Sequence, residues 1–318
     1  MICILSLRRG LFPCVLQSPM SCEGVTAYPE RIEEVVKTSI QAMKNKEGFF
    51  AFVDPQPERH FMDLAKTKGP EFALNATFLI STMILGGQTE PFFKRISISE
   101  KFNEYSWLFE PNEAVKRTDG QIIDACHKYF RPAGRQAKPI PQWPYNSHKL
   151  AEDYGGLVSN YFKKRDNNAL KIYDDLVVRP RAKTYEKEIR RLGPKISKLM
   201  IQWVREYNLY DLKNTDEVGL PVDFQLGRVI IQTGGLKLEK PVNTHFIAHK
   251  ILPVIFEDLS KRYRPEDISK SLWAIGSGGC KYKRHDICPV QELCTSLIST
   301  KRYDRDGLFD PRDVGRYK

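Results

Sequence analysis

The chain has 318 residues, of which 41% are hydrophobic and 28% charged, so it can form one large or two medium domains with a buried core. Its 50 Lys and Arg residues exceed its 39 Asp and Glu residues, and the formal charge of +11 favours a polyanionic partner, nucleic acid first. The 7 cysteines do not form the dense disulfide framework of a small secreted protein, which favours a reducing compartment. No apolar run reaches the roughly 18 residues that a membrane span needs, so we expect no membrane partner.

Both ends of the chain differ in composition from its middle. Residues 1–19 contain no acidic side chain, and an Arg pair and a proline interrupt their apolar character, so they resemble a targeting peptide only loosely. We expect a disordered tail over residues 1–28, with a translation start at Met20 as an alternative. The residues after 299 are polar and charged, which predicts a second tail over residues 300–318.

Apolar residues recur with helical spacing along most of the chain, and strand-like alternation is scarce. This pattern predicts an all-α fold. The segment at 71–85 is apolar nearly all round, which predicts that it is buried. The predicted helices cover residues 30–44, 71–85, a segment opening at 119, 148–162, 185–192, 196–207, 243–259 and a segment opening at 265.

Residues 185–207 read helix, tight turn, helix: Y-E-K-E-I-R-R-L-G-P-K-I-S-K-L-M-I-Q-W-V-R-E-Y. Gly193 is predicted to form the turn, and Pro194 suits the first turn of the second helix. Backbone amides at a helix start can hold a phosphate, and Lys195 lies at the same place. Lys and Arg outnumber Asp and Glu across residues 163–198, which suits a strip facing DNA, although an ordinary helical hairpin with a solvated charged face has the same pattern.

Asp223 lies in the segment L-P-V-D-F-Q-L-G-R-V, at the start of an apolar helix. A carboxylate in that position caps the helix and is stabilised by the helix dipole. The residues by themselves therefore indicate an N-cap, and a chemical role for Asp223 needs further support.

Three cysteines lie close together in the basic stretch G-C-K-Y-K-R-H-D-I-C-P-V-Q-E-L-C. Cysteine is usually a scattered small hydrophobic residue, so this density predicts that Cys280, Cys288 and Cys294 are metal ligands. The other four cysteines are expected to be incidental.

Five segments, taken in chain order, resemble motifs of the helix-hairpin-helix DNA glycosylases, the endonuclease III superfamily. The resemblance spans about residues 70–295; each short motif is weak, and their shared order makes the resemblance specific. The segments are I-L-G-G-Q-T at 84–89, Y-F-R-P-A-G-R-Q-A-K at 129–138, L-G-P-K-I-S at 192–197, V-D-F-Q-L-G-R-V at 222–229 and the cysteine-rich loop at 280–294.

The resemblance implies a two-lobed all-α fold. A helical barrel at 76–232 would carry the hairpin, residues 29–75 and 233–299 would form a composite lobe with the metal loop, and the active site would lie in the cleft between them. The residue matching Lys195 is the nucleophile of the family's bifunctional members, which attacks C1′ of the damaged nucleotide, expels the base and forms a Schiff base. The residue matching Asp223 assists departure of the base and stabilises the cationic sugar. This chemistry requires a neutral lysine and a nearby carboxylate.

The same resemblance implies double-stranded DNA with a flipped-out base as the partner. Gln88 matches the position that fills the gap left by the flipped nucleotide. The remaining DNA contacts are expected from the hairpin, the helix after Asp223 and the metal loop. They are Gly193, Arg191, Lys198, Arg228, Lys281, Lys283 and Arg284.

The chain departs from the family pattern in its hairpin. Arg191 and Leu192 stand where the family has Gly-Val, which puts the phosphate contact in doubt. Lys195 and Asp223 are also farther apart than in endonuclease III, as they are in the archaeal 8-oxoguanine branch, so residues 207–219 must loop out. This longer separation leaves Lys198 as a rival nucleophile.

The metal loop departs from the family pattern because it has three cysteines, not four. His285 occupies the place of the second cysteine, giving the spacing C-x4-H-x2-C-x5-C. Imidazole can replace one thiolate of an iron–sulfur cluster, and a three-cysteine, one-histidine set also suits tetrahedral zinc. We expect a structural [4Fe–4S] cluster because the spacing follows the cluster loop, with zinc or a metal-free loop as alternatives.

The sequence therefore predicts a DNA base-excision repair glycosylase with lyase activity at abasic sites. Two other functions remain open: a monofunctional glycosylase in which Asp223 activates water, and a non-catalytic DNA-binding module in which Asp223 is only a cap. We expect a monomer, located in the cytoplasm or nucleoid of a prokaryote or in the nucleus of a eukaryote.

Overall fold

The computed structural model describes residues 20–52, 60–84, 100–132, 137–177, 189–190, 192–280, 285–295 and 308–309. These residues are predominantly helical, as the apolar periodicity predicted. The chain divides into two compact units. One unit joins Met1–Pro55 to Val222–Lys318, and the other is Gln56–Pro221.

The described helices vary from short single turns to long amphipathic segments. In chain order they are α1 (Pro29–Asn45), α2 (His60–Lys68), α3 (Pro70–Met83), α4 (Glu100–Tyr105), α5 (Pro111–Ala114), α6 (Asp119–Phe130), α7 (Gln142–Tyr154), α8 (Val158–Lys163), α9 (Ala169–Val177), α10 (Pro194–Glu206), α11 (Phe224–Gln232), α12 (Thr244–Phe246), α13 (Leu252–Leu259) and α14 (Pro265–Ala274). Short 3-10 turns lie at Gly48–Ala51, Ser106–Phe109, Thr215–Val218, His285–Ile287 and Gln291–Leu293, and π-helical turns at Ile247–Ile251 and Ile275–Cys280.

The expected tail over residues 1–28 is wrong for its last part. Strand β1 (Met20–Cys22) pairs antiparallel with β2 (Val25–Ala27), and β2 pairs with β3 (Leu236–Leu238). Val25 is buried in this small sheet. A strand of three residues is held by a partner far along the chain, so alternation within it is too short to be seen in the sequence.

Part of the expected tail at 300–318 is also ordered. Strand β5 (Leu308–Phe309) pairs antiparallel with β4 (Val242–Asn243), and Phe309 is buried. Its ring packs at Gly227 of α11, where an added Cβ would lie 3.3 Å from two ring carbons. Phe309 therefore anchors this segment because α11 has no side chain at that point.

Buried helix α3 holds together the core of the unit Gln56–Pro221. The hydroxyl groups of its polar residues donate hydrogen bonds to backbone carbonyls of the same helix. Thr77 Oγ1 donates to the Ala73 carbonyl at 2.7 Å, and Ser81 Oγ donates to the Thr77 carbonyl at 2.7 Å. These bonds let hydroxyl side chains occupy an otherwise apolar core. The sequence assigned the first residues of α3 to the composite lobe, but α3 lies wholly in the other unit.

The predicted single helix at 148–162 is in fact two helices. Gly155 and Gly156 have positive φ of 62° and 80°, which ends α7 in the left-handed conformation that glycine favours. Buried Asn75 secures the break, because its Nδ2 donates to the Gly156 carbonyl at 3.0 Å and its Oδ1 accepts from the Val158 amide at 2.9 Å.

Two other predicted helices also differ from the structure. The segment 243–259 forms a π-helical turn before α13, where Pro253 lacks the N–H that a continuous α-helix would use. In the predicted helix 185–192, the described residues Ile189, Arg190 and Leu192 are not helical. The remaining residues of that segment lie outside the described part of the chain.

Within the part of the chain that the structure describes, no helix is both long and apolar enough to cross a membrane.

Candidate functional site

Helix α10 begins at Gly193 and Pro194. Gly193 is the N-cap with an extended backbone, φ −103° and ψ 174°, and its carbonyl accepts from the Ser197 amide at 2.9 Å. Lys195 lies in the first turn and is partly exposed. A φ of −103° is open to any residue, so the backbone does not require glycine at position 193, and Pro194 occupies the first turn, as predicted.

Lys195 and Lys198 are three residues apart and therefore share one side of α10. Lys198 is partly exposed, and its ammonium lies 5.6 Å from the centre of the Tyr173 ring. The opposite side of α10 is buried through residues such as Met200 and Trp203. The helix thus packs by one face and holds its two lysines at the other.

The segment that leads into α10 is clamped to α7. The Asn146 side chain is fully buried; its Oδ1 accepts from the Arg190 amide at 2.9 Å and its Nδ2 donates to the Arg190 carbonyl at 3.2 Å. The Arg190 guanidinium also lies 3.5 Å from the centre of the Tyr145 ring. Asn146 and Tyr145 thereby fix the backbone just before the start of α10, although the sequence analysis did not select Asn146.

We expect Asn146→Ala to lower the free energy of unfolding by about 2 kcal/mol, because both backbone groups of Arg190 lose a buried partner. The matched control is Asn112→Ala. Asn112 also donates to a backbone carbonyl, that of Gly155 at 2.9 Å, but it is exposed, so water replaces the bond and the change should stay within about 0.5 kcal/mol. Denaturant unfolding of both variants measures the difference, and equal losses would show that Asn146 is not a special clamp.

Asp223 caps helix α11. Its Oδ1 accepts from the backbone amides of Gln225 at 2.9 Å and Leu226 at 3.4 Å, and the residue is 7% exposed. The N-cap predicted from the sequence is therefore confirmed. The cap fixes the carboxylate at the positive end of the helix dipole, where its negative charge is stabilised.

Arg228 was expected to contact DNA, but its side chain is buried and does not reach the surface. It is only 1% exposed, and its Nη1 donates to the Gly276 carbonyl at 3.1 Å and to Gln225 Oε1 at 3.0 Å. A Cβ at Gly276 would lie 2.5 Å from the Gln225 carbonyl oxygen, so only glycine allows this close packing of the two segments. The motif gave the identity of Arg228 but not the direction of its side chain.

The three cysteines of the loop line one small pocket. They share it with Val229 and Gln232 from one face of α11 and with Thr233, the C-cap of that helix. None of the three is in a disulfide. The cysteines predicted to act together are thus neighbours in the structure, against a helix that the sequence analysis did not connect with them.

The charges around the pocket act on the thiols. Burial raises the pKa of the Cys280 thiol, Cys288 and Cys294 raise it further, and the Arg228 guanidinium opposes the rise. Burial also raises the pKa of Cys288 to about 11, with a lowering contribution from the Val290 backbone amide and a further rise from Cys294. The buried Arg228 guanidinium therefore lies within electrostatic range of the Cys280 thiol.

The loop that carries the cysteines is fastened to the end of α11 by hydrogen bonds. The Arg31 side chain bridges the two, donating from Nε to the Thr233 carbonyl and from Nη2 to the Leu293 carbonyl, both at 3.0 Å. The backbone amide and hydroxyl of Thr295 both donate to the Gln232 carbonyl, at 2.7 and 2.8 Å. These bonds hold Cys294 beside α11 by protein contacts alone.

Gln232 is the polar side chain of this pocket that the sequence analysis missed. It is 1% exposed, and neither its Nε2 nor its Oε1 has a hydrogen-bond partner among the described residues. Its position four residues after Arg228, within the apolar run V-I-I-Q-T, was the available signal, since that spacing places the two polar residues on one side of a helix.

The described cysteines do not form a finished metal site. Among the residues that the structure describes, no group of three or more His, Cys, Asp or Glu side chains is placed to hold an ion. The side chain of His285, the expected fourth ligand, lies outside the described part, as do residues Gln88, Arg191, Lys281, Lys283 and Arg284.

Comparison with known proteins assigns no family. Neither a scan against models of protein families nor a search of curated proteins finds a match.

Proposed function

We propose that the chain is a DNA glycosylase with abasic-site lyase activity, built on the helix-hairpin-helix plan, with Lys195 as its nucleophile. The observation that carries this proposal is the partly exposed Lys195 in the first turn of α10, directly after Gly-Pro. A helix start attracts a phosphate, and the lysine is then beside the sugar of the bound strand. The net charge of +11 supports a polyanionic partner.

The surroundings of Gly193 support a close approach of the DNA backbone. A Cβ at Gly193 would meet no atom within 4 Å, and the backbone angles do not require glycine. Glycine also serves where the protein backbone must come close to a ligand, because no side chain shields its amide neighbours. A phosphate bound at the start of α10 would explain a glycine at position 193, which neither the packing nor the backbone angles require.

The proposed reaction starts from the neutral amine of Lys195. Its lone pair forms a bond to C1′ while the bond from C1′ to the base breaks, and the base leaves with the bonding electrons and takes up a proton. The new amine loses a proton as the C1′–O4′ bond breaks and O4′ takes up a proton, which gives the Schiff base. Loss of a proton from C2′ then expels the 3′ phosphate with the electrons of the C3′–O bond. The carboxylate of Asp223 would stabilise positive charge that develops on the sugar.

We further propose that Cys280, Cys288 and Cys294, with His285, hold a [4Fe–4S] cluster. Three sulfur donors in one pocket and a buried amide without a partner among the described residues fit an anionic, sulfur-rich group. When bound, the cluster would supply a structural crosslink within the loop. Zinc is the alternative, and the iron, zinc and acid-labile sulfide content of the purified protein distinguishes them.

The contrasting exposure of Lys198 and Arg228 gives a prediction for DNA binding. Lys198→Ala should reduce the slope of log affinity against log salt concentration by about 1, as expected when one phosphate contact is lost. Arg228→Met should leave the slope unchanged, because a side chain that is 1% exposed releases no counterion. Fluorescence anisotropy over a salt series measures both, and a slope lowered by Arg228→Met would mean that this arginine reaches DNA.

The cap at Asp223 supports a second candidate function, a DNA-binding module without chemistry. A carboxylate that accepts two backbone amides already has a complete structural role. In that case the basic helix start would bind DNA and nothing would react.

The test is incubation of the protein with an abasic duplex and a panel of damaged duplexes in sodium borohydride. A covalent protein–DNA adduct supports the glycosylase and lyase, because borohydride traps only a Schiff base. Base loss revealed by alkali without an adduct would favour a monofunctional glycosylase. If neither appears on any substrate while the duplexes are bound, the binding module is favoured.

A further inference from the structure

One face of α11 carries a buried cation, Arg228, and a buried amide, Gln232, and the amide lines the cysteine pocket. Arg228 and Gln232 are four residues apart on that face, and Gln232 lines the pocket together with Cys280, Cys288 and Cys294. Arg228 is accounted for by its bond to the Gly276 carbonyl. For Gln232 no comparable hydrogen bond explains the polar side chain, because neither atom of its buried amide has a partner among the described residues.

A buried amide without a partner is costly, since it has lost its hydrogen bonds to water without gaining others. Leucine would fit the apolar run around position 232 and remove that cost. The hydrogen bonds from Thr295 do not require a glutamine at position 232. They are donated to the backbone carbonyl of Gln232, which any residue provides. A glutamine here therefore indicates a bound group that needs a hydrogen-bond donor.

We infer that Gln232 is a positioning residue of the metal centre, whose Nε2 donates a hydrogen bond to a sulfur of the metal-bound thiolates or cluster. This inference rests on the metal centre proposed above and not on the glycosylase chemistry. Sulfur atoms bound to metal carry negative charge and accept hydrogen bonds, and such contacts outside the ligand set are a main determinant of metal affinity. The amide thus has its partner only in the metal-loaded protein.

The inference makes opposite predictions for the two states of the full-length protein. In protein stripped of metal by a chelator, Gln232→Leu should raise the thermal midpoint, because it removes two buried polar atoms that have no partner. In the metal-loaded protein, the same change should lower metal affinity by on the order of 10- to 100-fold. A purely structural glutamine would instead destabilise both states when replaced.

The experiment measures metal retention against a competing chelator after reconstitution with ferrous iron and sulfide, and separately with zinc alone. Gln232→Glu is the second variant; it keeps the size of the side chain and replaces the amide donor by a carboxylate, so it should lose affinity even if Gln232→Leu folds poorly. Gln202→Leu is the matched control, since Gln202 is a buried glutamine of α10 that does not line the cysteine pocket. Its metal affinity should equal that of the unmodified chain.

Unchanged affinity in both Gln232 variants, with a metal-binding unmodified chain, would overturn the inference alone. An unmodified chain that retains neither iron with sulfide nor zinc would overturn the metal centre and the inference together. Neither result bears on the borohydride adduct, because Schiff-base formation at Lys195 uses no metal.

Discussion

Lys195→Ala is expected to abolish the borohydride-trapped protein–DNA adduct, with a loss of on the order of 10³-fold or more in adduct formation. Alanine has no amine, so no Schiff base can form at this position, and removal of a nucleophile is among the largest single effects on an enzyme. Adduct formation on the abasic duplex is the measurement of choice, because it does not depend on knowing which base is removed.

The control for this experiment is Lys198→Ala. Lys198 lies on the same side of α10 and is also partly exposed, so it is the rival nucleophile and a comparable positive charge. We expect this variant to keep the adduct and to bind DNA more weakly. An adduct that survives in Lys195→Ala and disappears in Lys198→Ala would show that Lys198, and not Lys195, is the nucleophile.

DNA affinity measured in parallel separates chemistry from binding. Lys198→Ala is expected to weaken binding because it removes one phosphate contact, whereas Lys195→Ala should change the affinity little because the reacting amine is neutral. A loss of adduct that merely follows a loss of affinity would contradict a nucleophilic role for Lys195. The distinction is practical because both lysines lie away from the buried face of α10, and alanine favours helix formation at both positions.

Helical periodicity predicted the long buried and amphipathic helices well. Helix α3 has apolar residues all round, and α10 alternates buried residues with lysines at helical spacing, so both patterns are visible in the sequence. The break between α7 and α8 was missed because two adjacent glycines are compatible with either a tight turn or a weakened helix. The bond from Asn75, far away in sequence, settles the choice.

The short strands could not be predicted, and neither could the order within the expected tails. Val25–Ala27 pair with Leu236–Leu238, and Leu308–Phe309 pairs with Val242–Asn243. In each case the stabilising partner is distant in sequence, and the strand is too short for its alternation to be distinguished from chance. Tertiary contacts, not local propensity, decide such segments.

Within the candidate site, local features were predictable and the directions of side chains were not. The Asp223 cap follows from a carboxylate before an apolar helix, which is a local rule. The burial of Arg228 and the contact of Gln232 with the cysteine pocket depend on the packing of α11 against residues 276–280 and 288–294, which the spacing of motifs does not encode. The grouping of the three cysteines was recognised because their density alone is unusual.

Asp223→Asn is expected to lower base excision by on the order of 10²- to 10⁴-fold while leaving the fold nearly unchanged. Asparagine is as good an N-cap as aspartate, and its Oδ1 can accept the same bonds from the amides of Gln225 and Leu226. Only the negative charge is lost, which costs about 0.3–1 kcal/mol at a helix N-terminus. The variant therefore separates the cap from any chemical role of the carboxylate.

Asp223→Ala is the matched comparison for Asp223→Asn. Alanine removes the cap as well as the charge and should cost about 1 kcal/mol more in the free energy of unfolding. If Asp223 is catalytic, both variants lose excision to a similar degree although only alanine loses the cap. If Asp223 is a cap and nothing more, asparagine keeps full activity and DNA affinity, and the defect appears only in Asp223→Ala, in proportion to its lower stability. Excision rates and denaturant unfolding on the same protein samples decide between these two outcomes, because they report charge and cap independently.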